Sequence, residues 1–283
     1  MNKIRWNPAD RPAMNIKENK GVTYLTYPAL EKLSGFVHAF STRLGGVSEG
    51  IYSSMNLSFT RGDDENSVME NYRRLAEAVG FSVENIVTSD QTHTANVRVI
   101  TEADRGNGIT KPRPYTDVDG MITNVPGLVL ATFYADCVPL YFIDPVRKAI
   151  GLSHSGWRGT AAHIGAVTVR RMQKEYGSLP EDIYGAIGPS ICQECYEVSE
   201  DVILEFQKTF PEGSWQNLFY RKENGKYQLN LWEANRQIML ESGLTEEHIS
   251  LPGLCTCCNP EFLFSHRASR GKRGNLGAFL GII

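Results

Sequence analysis

The chain has 283 residues, 41% of them hydrophobic and 22% charged, which supplies a sizeable apolar core and imposes no need for a disulfide or metal staple. With 29 Lys+Arg against 32 Asp+Glu the formal charge is −3, so no overall basic field draws phosphate backbones, and nucleic acid is excluded as a principal partner. The opening segment MNKIRWNPADRPAMNIKENKGVTY is broken every few residues by Pro, Asn, Lys or Asp, and the apolar runs LVLATFYA, LYFI and NLGAFLGII are short of a membrane span. A cytoplasmic protein with no membrane partner is expected. There the six cysteines (137, 192, 195, 255, 257 and 258) stay reduced, which favours thiolate chemistry or metal binding over disulfides.

No repeat, heptad pattern or low-complexity tract divides the chain, and Pro and Gly are spread along it, so residues 1–283 read as a single domain. Met69, Tyr72, Leu75, Ala76 and Val79 fall at helical spacing and predict a helix that ends at Gly80. Residues 128–133 and 140–143 read as buried strands flanking a bend at Ala135-Asp136-Cys137, with Pro139 at the start of the second. A strand over 149–153 follows, then His154-Ser155-Gly156-Trp157-Arg158-Gly159-Thr160 and a helix from about 161 to 175 that stops at Gly177. Further on, 183–187 reads as a short strand, Ser199 as the cap of a helix to Phe210, and Asn230 with Glu233 as the start of a helix through Leu240. Helices and strands mix without strict βαβ alternation, which predicts an α+β fold, mixed β-sheets layered with helices.

Three residues in segments rich in small and polar side chains stand out: His93 in QTHTANV, Cys137 in ADCVPL and His154 in HSGWRGT. Two imidazoles and a thiolate are three protein ligands for zinc, and a catalytic zinc leaves its fourth position to water or substrate. The three are far apart in sequence, unlike a compact structural finger, and each falls at a predicted loop or strand end where a cleft forms. Thr92, Asn96, Asp136 and Ser155 are candidates to orient them by hydrogen bonds. Taken singly, each of the three also reads as an ordinary residue: a loop histidine, a small buried filler, a core histidine. Copper is less favoured, because a blue-copper centre adds an axial Met in a compact loop, and the six histidines in total cannot furnish a multinuclear array.

Cys192-x-x-Cys195 and Cys255-x-x-Cys258 have the ligand spacing of a structural four-cysteine zinc site, but the pairs are 60 residues apart, and reduced, partly buried thiols are the expected state. The segments 155–160 and 40–48 combine Gly with Arg158 and Arg43, ingredients of an anion site, and equally of a plain turn with a solvated arginine. Trp157 and Tyr134 offer faces for a planar base, or simply pack.

Taken together, FSTRLGGVS (40–48), MNLSF (55–59), QTHTANV (91–97), DVDGMIT (117–123), ADCVPL (135–140), HSGWRGT (154–160), GPSICQECYEV (188–198), LCT (254–256) and FSHR (264–267) resemble the laccase-domain, or polyphenol oxidase, family, now regarded as purine nucleoside phosphorylases. The resemblance implies a catalytic zinc on His93, Cys137 and His154. It also implies purine nucleosides and phosphate as partners: phosphorolysis of adenosine, inosine, guanosine and methylthioadenosine, with hydrolytic deamination of adenosine. The segment HRASRGKRGNLGAF replaces the family's commoner arginine-glycine run, so Arg267, Arg270 and Arg273 are not assigned to phosphate. Arg43, Asn56 and Arg158 are the candidate substrate or phosphate contacts. Two other readings compete: a cysteine hydrolase or transferase with Cys137 as nucleophile, and a copper-dependent oxidase of phenols.

Overall fold

The computed structural model describes residues 4–7 and 13–283; the rest of the irregular opening segment lies outside the described residues. The strands, in chain order, are β1 (Asn15–Asn19), β2 (Val22–Thr26), β3 (Phe36–Ser41), β4 (Ile86–Thr88), β5 (Val97–Val99), β6 (Gly120–Thr123), β7 (Val129–Tyr134), β8 (Val138–Asp144), β9 (Ala149–Ser155), β10 (Tyr184–Ile187), β11 (Glu197–Val198), β12 (Phe219–Arg221), β13 (Tyr227–Leu229), β14 (Ile249–Ser250) and β15 (Leu276–Ile282). The helices are α1 (Glu65–Val79), α2 (Trp157–Ala161), α3 (Ile164–Tyr176), α4 (Glu200–Thr209), α5 (Trp215–Leu218), α6 (Leu231–Glu241) and α7 (His266–Ser269).

One six-stranded sheet has the order β1-β2-β3-β15-β7-β4, a second has β14-β10-β8-β9-β6-β5, and β11-β13-β12 form a small third. Both large sheets are mixed: β4–β7, β5–β6 and β10–β14 run parallel, while the central pairs run antiparallel. The fold is α+β, as expected from the sequence.

Burial on both faces explains why the central strands carry almost no polar alternation. On β15, Leu276, Ala278, Leu280 and Ile282 enter the core between the sheets, whereas Phe279 joins Val68, Tyr72 and Leu75 of α1 on the outer side. On β8, Tyr141 and Ile143 face the first sheet, while Leu140 and Phe142 meet Ile164, Val169 and Met172 of α3. The layers therefore run α1, sheet, sheet, and α3 with α6. Every fully buried Leu or Phe in them contributes about 2 kcal/mol of apolar burial.

The helix expected to end at Gly80 does so, Gly80 taking the left-handed conformation, and it begins at Glu65, where the Asp64 carboxylate accepts the Ser67 N–H at 2.8 Å. The expected helix over 161–175 is two pieces. His163 adopts φ +54, which ends one helix and starts the next, and its ring packs against Phe210 with centroids 4.8 Å apart. Asn230 caps α6 through the Glu233 N–H at 3.1 Å, but the Ser199 hydroxyl turns to the Asp201 carboxylate and caps no helix N–H.

For the site, the connection that matters is the turn Ala135-Asp136-Cys137, which carries the chain from β7 in the first sheet to β8 in the second. Asp136 takes φ +89 there.

Candidate active site

A loop, a turn and a strand end meet where the two sheets adjoin. His93 lies in the loop between β4 and β5, Cys137 immediately precedes β8, and His154 is the penultimate residue of β9, in register with Pro139. Their donor atoms all lie within 4.8 Å of one another, close enough to share one ion. His93 is exposed, Cys137 half-buried and His154 buried, so the group sits on the wall of an opening and not in a sealed core. The chain passes close over it at Gly156, where an added Cβ would stand 2.9 Å from His93 Cδ2 and 3.3 Å from Cys137 Sγ.

Asp119 organises the group. Its buried carboxylate accepts the backbone N–H groups of Thr92 (3.1 Å), His93 (3.1 Å) and Thr94 (2.8 Å), which shape the His93 loop around it, with His93 at φ +68. The same carboxylate bonds His154 Nδ1 at 2.7 Å, and the Asp119 carbonyl accepts the His154 N–H at 2.7 Å. With Nδ1 so engaged, Nε2 is the nitrogen left for an ion, the arrangement by which metal-ligating histidines are oriented.

The charges reinforce this geometry. Burial alone would push the Cys137 thiol up, but the charge on His154 and hydrogen bonds from His154 and His93 outweigh it and bring it down to about 6. Burial would pull His154 down, yet the Cys137 sulfur and the Asp119 carboxylate raise it to about 9. Asp119, against its own burial, is held at about 2 by His154 and the loop amides. A site that stabilises a thiolate beside a carboxylate suits a divalent cation, which takes the place of the imidazole proton.

Of the four residues proposed to orient the ligands, none bonds an imidazole or the thiol directly; they hold the loops. Asn96 bonds Asp117 Oδ2 at 2.8 Å, Thr92 also bonds Asp117, and Ser155 bonds Thr160 and Asn235 at 2.8 and 2.9 Å. Asp136 accepts the Thr256 hydroxyl and the Arg267 N–H, each at 2.7 Å.

A cavity of about 380 Å³ opens beside His93, Cys137 and His154, within the range of small-molecule sites. Its lining includes the aromatic side chains of Phe59, Tyr72 and Phe133 and the arginines Arg61, Arg113 and Arg273. Arg113 pairs with Asp90 and donates to Thr88 Oγ1 and the Ser89 carbonyl at 3.1 and 3.0 Å. Arg273 is half-buried; burial, with the neighbouring Arg61 charge, lowers it to about 10. Two guanidinium groups near each other, one of them partly desolvated, are short of negative charge.

Arg43, Asn56 and Arg158 lie outside the cavity lining. Arg43 donates to the carbonyls of Ser53 (2.9 and 2.6 Å) and Pro260 (2.7 Å) and stacks on Phe264. Asn56 is fully buried and bridges Ser58, Asp63 and the Asn275 N–H, and Arg158 lies over the Trp157 ring at 4.2 Å. The cavity thus draws its cations from Arg61, Arg113 and Arg273, which the glycine-flanked motifs did not single out, and its organising carboxylate from the DVDGMIT segment.

Two packed sheets with a His-Cys-His donor set at a cavity between their loops define an α+β enzyme class with a candidate metal site. The family model described as multi-copper polyphenol oxidoreductase laccase matches residues 37–283, and the chain belongs to that family. It is 40% identical over 250 residues to purine nucleoside phosphorylase YlmD of Geobacillus stearothermophilus, covering 88% of this chain and 90% of the relative. It is 33% identical over 234 residues to adenosine deaminase RL5 from an unknown prokaryotic organism, covering 82% and 88%. The crystal structure of the Geobacillus YlmD superposes with a TM-score of 0.89 at 38% identity, over 96% of this chain and 99% of that one. Among the described residues no helix is long and apolar enough to cross a membrane.

Proposed function

We propose that this chain is a zinc-dependent purine nucleoside phosphorylase, acting on adenosine, inosine, guanosine and methylthioadenosine, that also deaminates adenosine. The observation that carries the reading is the convergence of His93, Cys137 and His154 on the wall of a cavity lined by both aromatic side chains and arginines. A zinc ion on these three donors would supply a Lewis acid with one position left for water or a substrate atom. Zinc suits a set of two imidazoles and one thiolate. The multinuclear copper of the family description would need further histidines here, and the two donor clusters among the described residues include only these two.

In phosphorolysis the glycosidic C–N bond breaks as a phosphate oxygen bonds to the anomeric carbon, and negative charge develops on the departing purine. Arg61, Arg113 and Arg273 are proposed to hold the phosphate, with Phe59 and Phe133 packing on the planar base. Asp119, outside the cavity lining, acts by fixing the His154 ring. Deamination places water, not phosphate, against the amino-bearing carbon of the same base, and the names of the relatives span both activities.

The test is product analysis of adenosine turnover with and without phosphate. Ribose 1-phosphate with adenine reports phosphorolysis and inosine reports deamination; neither product from the zinc-loaded protein defeats the proposal. His154→Ala is expected to lower both by more than 100-fold while far-UV circular dichroism stays unchanged. A second reading, with Cys137 as nucleophile, draws on the lowered Cys137 thiol. It requires full activity after metal removal and loss of activity on thiol alkylation.

A further inference from the structure

Away from the cavity, Cys192, Cys195, Cys255 and Cys258 form a second cluster whose sulfurs all lie within 4.8 Å of one another. We propose that these four thiolates bind a structural zinc ion that fastens the loop after β10 to the loop after β14, and so fixes the turn that presents Cys137.

The distances fit. In a tetrahedral site with zinc–sulfur bonds of about 2.3 Å, the sulfurs stand about 3.8 Å apart. Here Cys192 and Cys258 are separated by 3.9 Å and Cys195 and Cys258 by 3.5 Å, and all four cysteines are free thiols. Both pairs sit on turns that aim two sulfurs the same way: Cys195 N–H bonds the Cys192 carbonyl at 3.2 Å, and a turn spans 256–258. The bridge between Ser190 and Cys255 brings the turns together across the 60 residues that separate them in sequence.

The alternative is four packed neutral thiols, and the backbone argues against it. Cys255 Sγ accepts two amides, Cys192 N–H at 3.2 Å and Cys258 N–H at 3.4 Å. A neutral thiol is a weak acceptor that does not call for two donors, whereas a buried thiolate ligand does. An all-sulfur set selects zinc or iron over oxygen-seeking cations, and zinc is the ion that serves purely structural sites of this spacing. Cys192 and Cys255 are buried while Cys195 and Cys258 are half-buried, which leaves the ion a way in. Cys257 stands outside the group.

The clamp reaches the active site through Asp136, the neighbour of Cys137. Ile191 N–H bonds the Asp136 carbonyl at 3.0 Å from one clamped loop, and the Thr256 hydroxyl bonds its carboxylate at 2.7 Å from the other. Arg267 adds a third tie, its N–H to the Asp136 carboxylate at 2.7 Å and its guanidinium to the carbonyls of Cys195 and Glu197 at 3.1 and 2.9 Å.

Metal counting decides it, independently of nucleoside turnover. The full chain, purified under reductant with zinc, is expected to hold two equivalents, and H93A/H154A one. X-ray absorption at the zinc edge of that double variant should show a shell of sulfur alone. Adding Cys195→Ser to it should remove the remaining equivalent and lower the melting temperature. One equivalent in the wild type with none in H93A/H154A overturns the proposal, as does a nitrogen-containing shell or iron in place of zinc. Because H93A/H154A leaves all four cysteines intact, a folding failure in the serine variant does not cloud the result.

Discussion

Asp119 makes more of the site than any of the three donor residues does, because one carboxylate accepts three loop amides and an imidazole N–H. Asp119→Asn keeps the shape but sets an amide N–H₂ against those donors and removes the charge that favours the His154 orientation. We expect a 10- to 100-fold weaker hold on zinc, the usual effect of losing such a partner, read by competition with a chromophoric chelator. Unchanged zinc affinity would contradict the role given to Asp119. The three donor residues that the structure brings together stood out in the sequence because His and Cys are few and each lay in a segment of small polar residues. Asp119 was not, since one acid among 32 Asp+Glu carries no local mark of the amides that fold around it. Arg43 and Arg158 were singled out for a different reason, the glycines beside them that suggested an anion loop, and both lie outside the cavity lining. Those glycines serve close packing, as at Gly46, where a Cβ would stand 2.1 Å from the Ser54 carbonyl oxygen.

At the scale of elements, caps separate sequence patterns that form from those that do not. Asn230 and Ser199 both precede helices and both belong to the residue types that favour such positions. Only Asn230 bonds a helix N–H, at 3.1 Å to Glu233; the Ser199 hydroxyl is taken by Asp201. Asn230→Ala should therefore destabilise by about 1 kcal/mol in urea unfolding, while Ser199→Ala leaves the midpoint unchanged. Equal losses at both positions would refute the distinction. Helix ends at Gly80 and Gly177 were readable because glycine marks them, but the break at His163 was not, because it is a histidine and not one of the neighbouring glycines that takes the left-handed conformation. Likewise NLGAFLGII showed only as an apolar run. It gives a central strand because both of its faces are covered, a fact of the layers and not of the segment.

Stability of the whole molecule should carry a pH dependence set by His38 on β3. Its ring packs against those of Tyr27 and Tyr141, which also touch each other, and its Nε2 accepts the Tyr27 N–H at 2.7 Å, which requires that nitrogen unprotonated. Burial lowers His38 to about 4, with Glu31 opposing only in part. In the unfolded chain it titrates near 6.5, so the unfolded state binds more protons between these values. Stability from this group is complete above about pH 6.5 and falls away as the pH drops toward 4, by about 3 kcal/mol at most. Urea unfolding at pH 7 and pH 5 should show a smaller difference in His38→Gln than in the wild type; an identical difference would show that His38 is not the titrating group.

The placement of β15 between β3 and β7 has a consequence for how the first sheet closes. Until residues 276–282 have docked, β3 and β7 each present a row of unpaired amides and carbonyls, and the layer that backs the His93 loop and the Cys137 turn stays split in two. Folding that stalls before this strand docks leaves both seams open to pairing with other chains, which makes the arrival of β15 the step that closes the layer against aggregation.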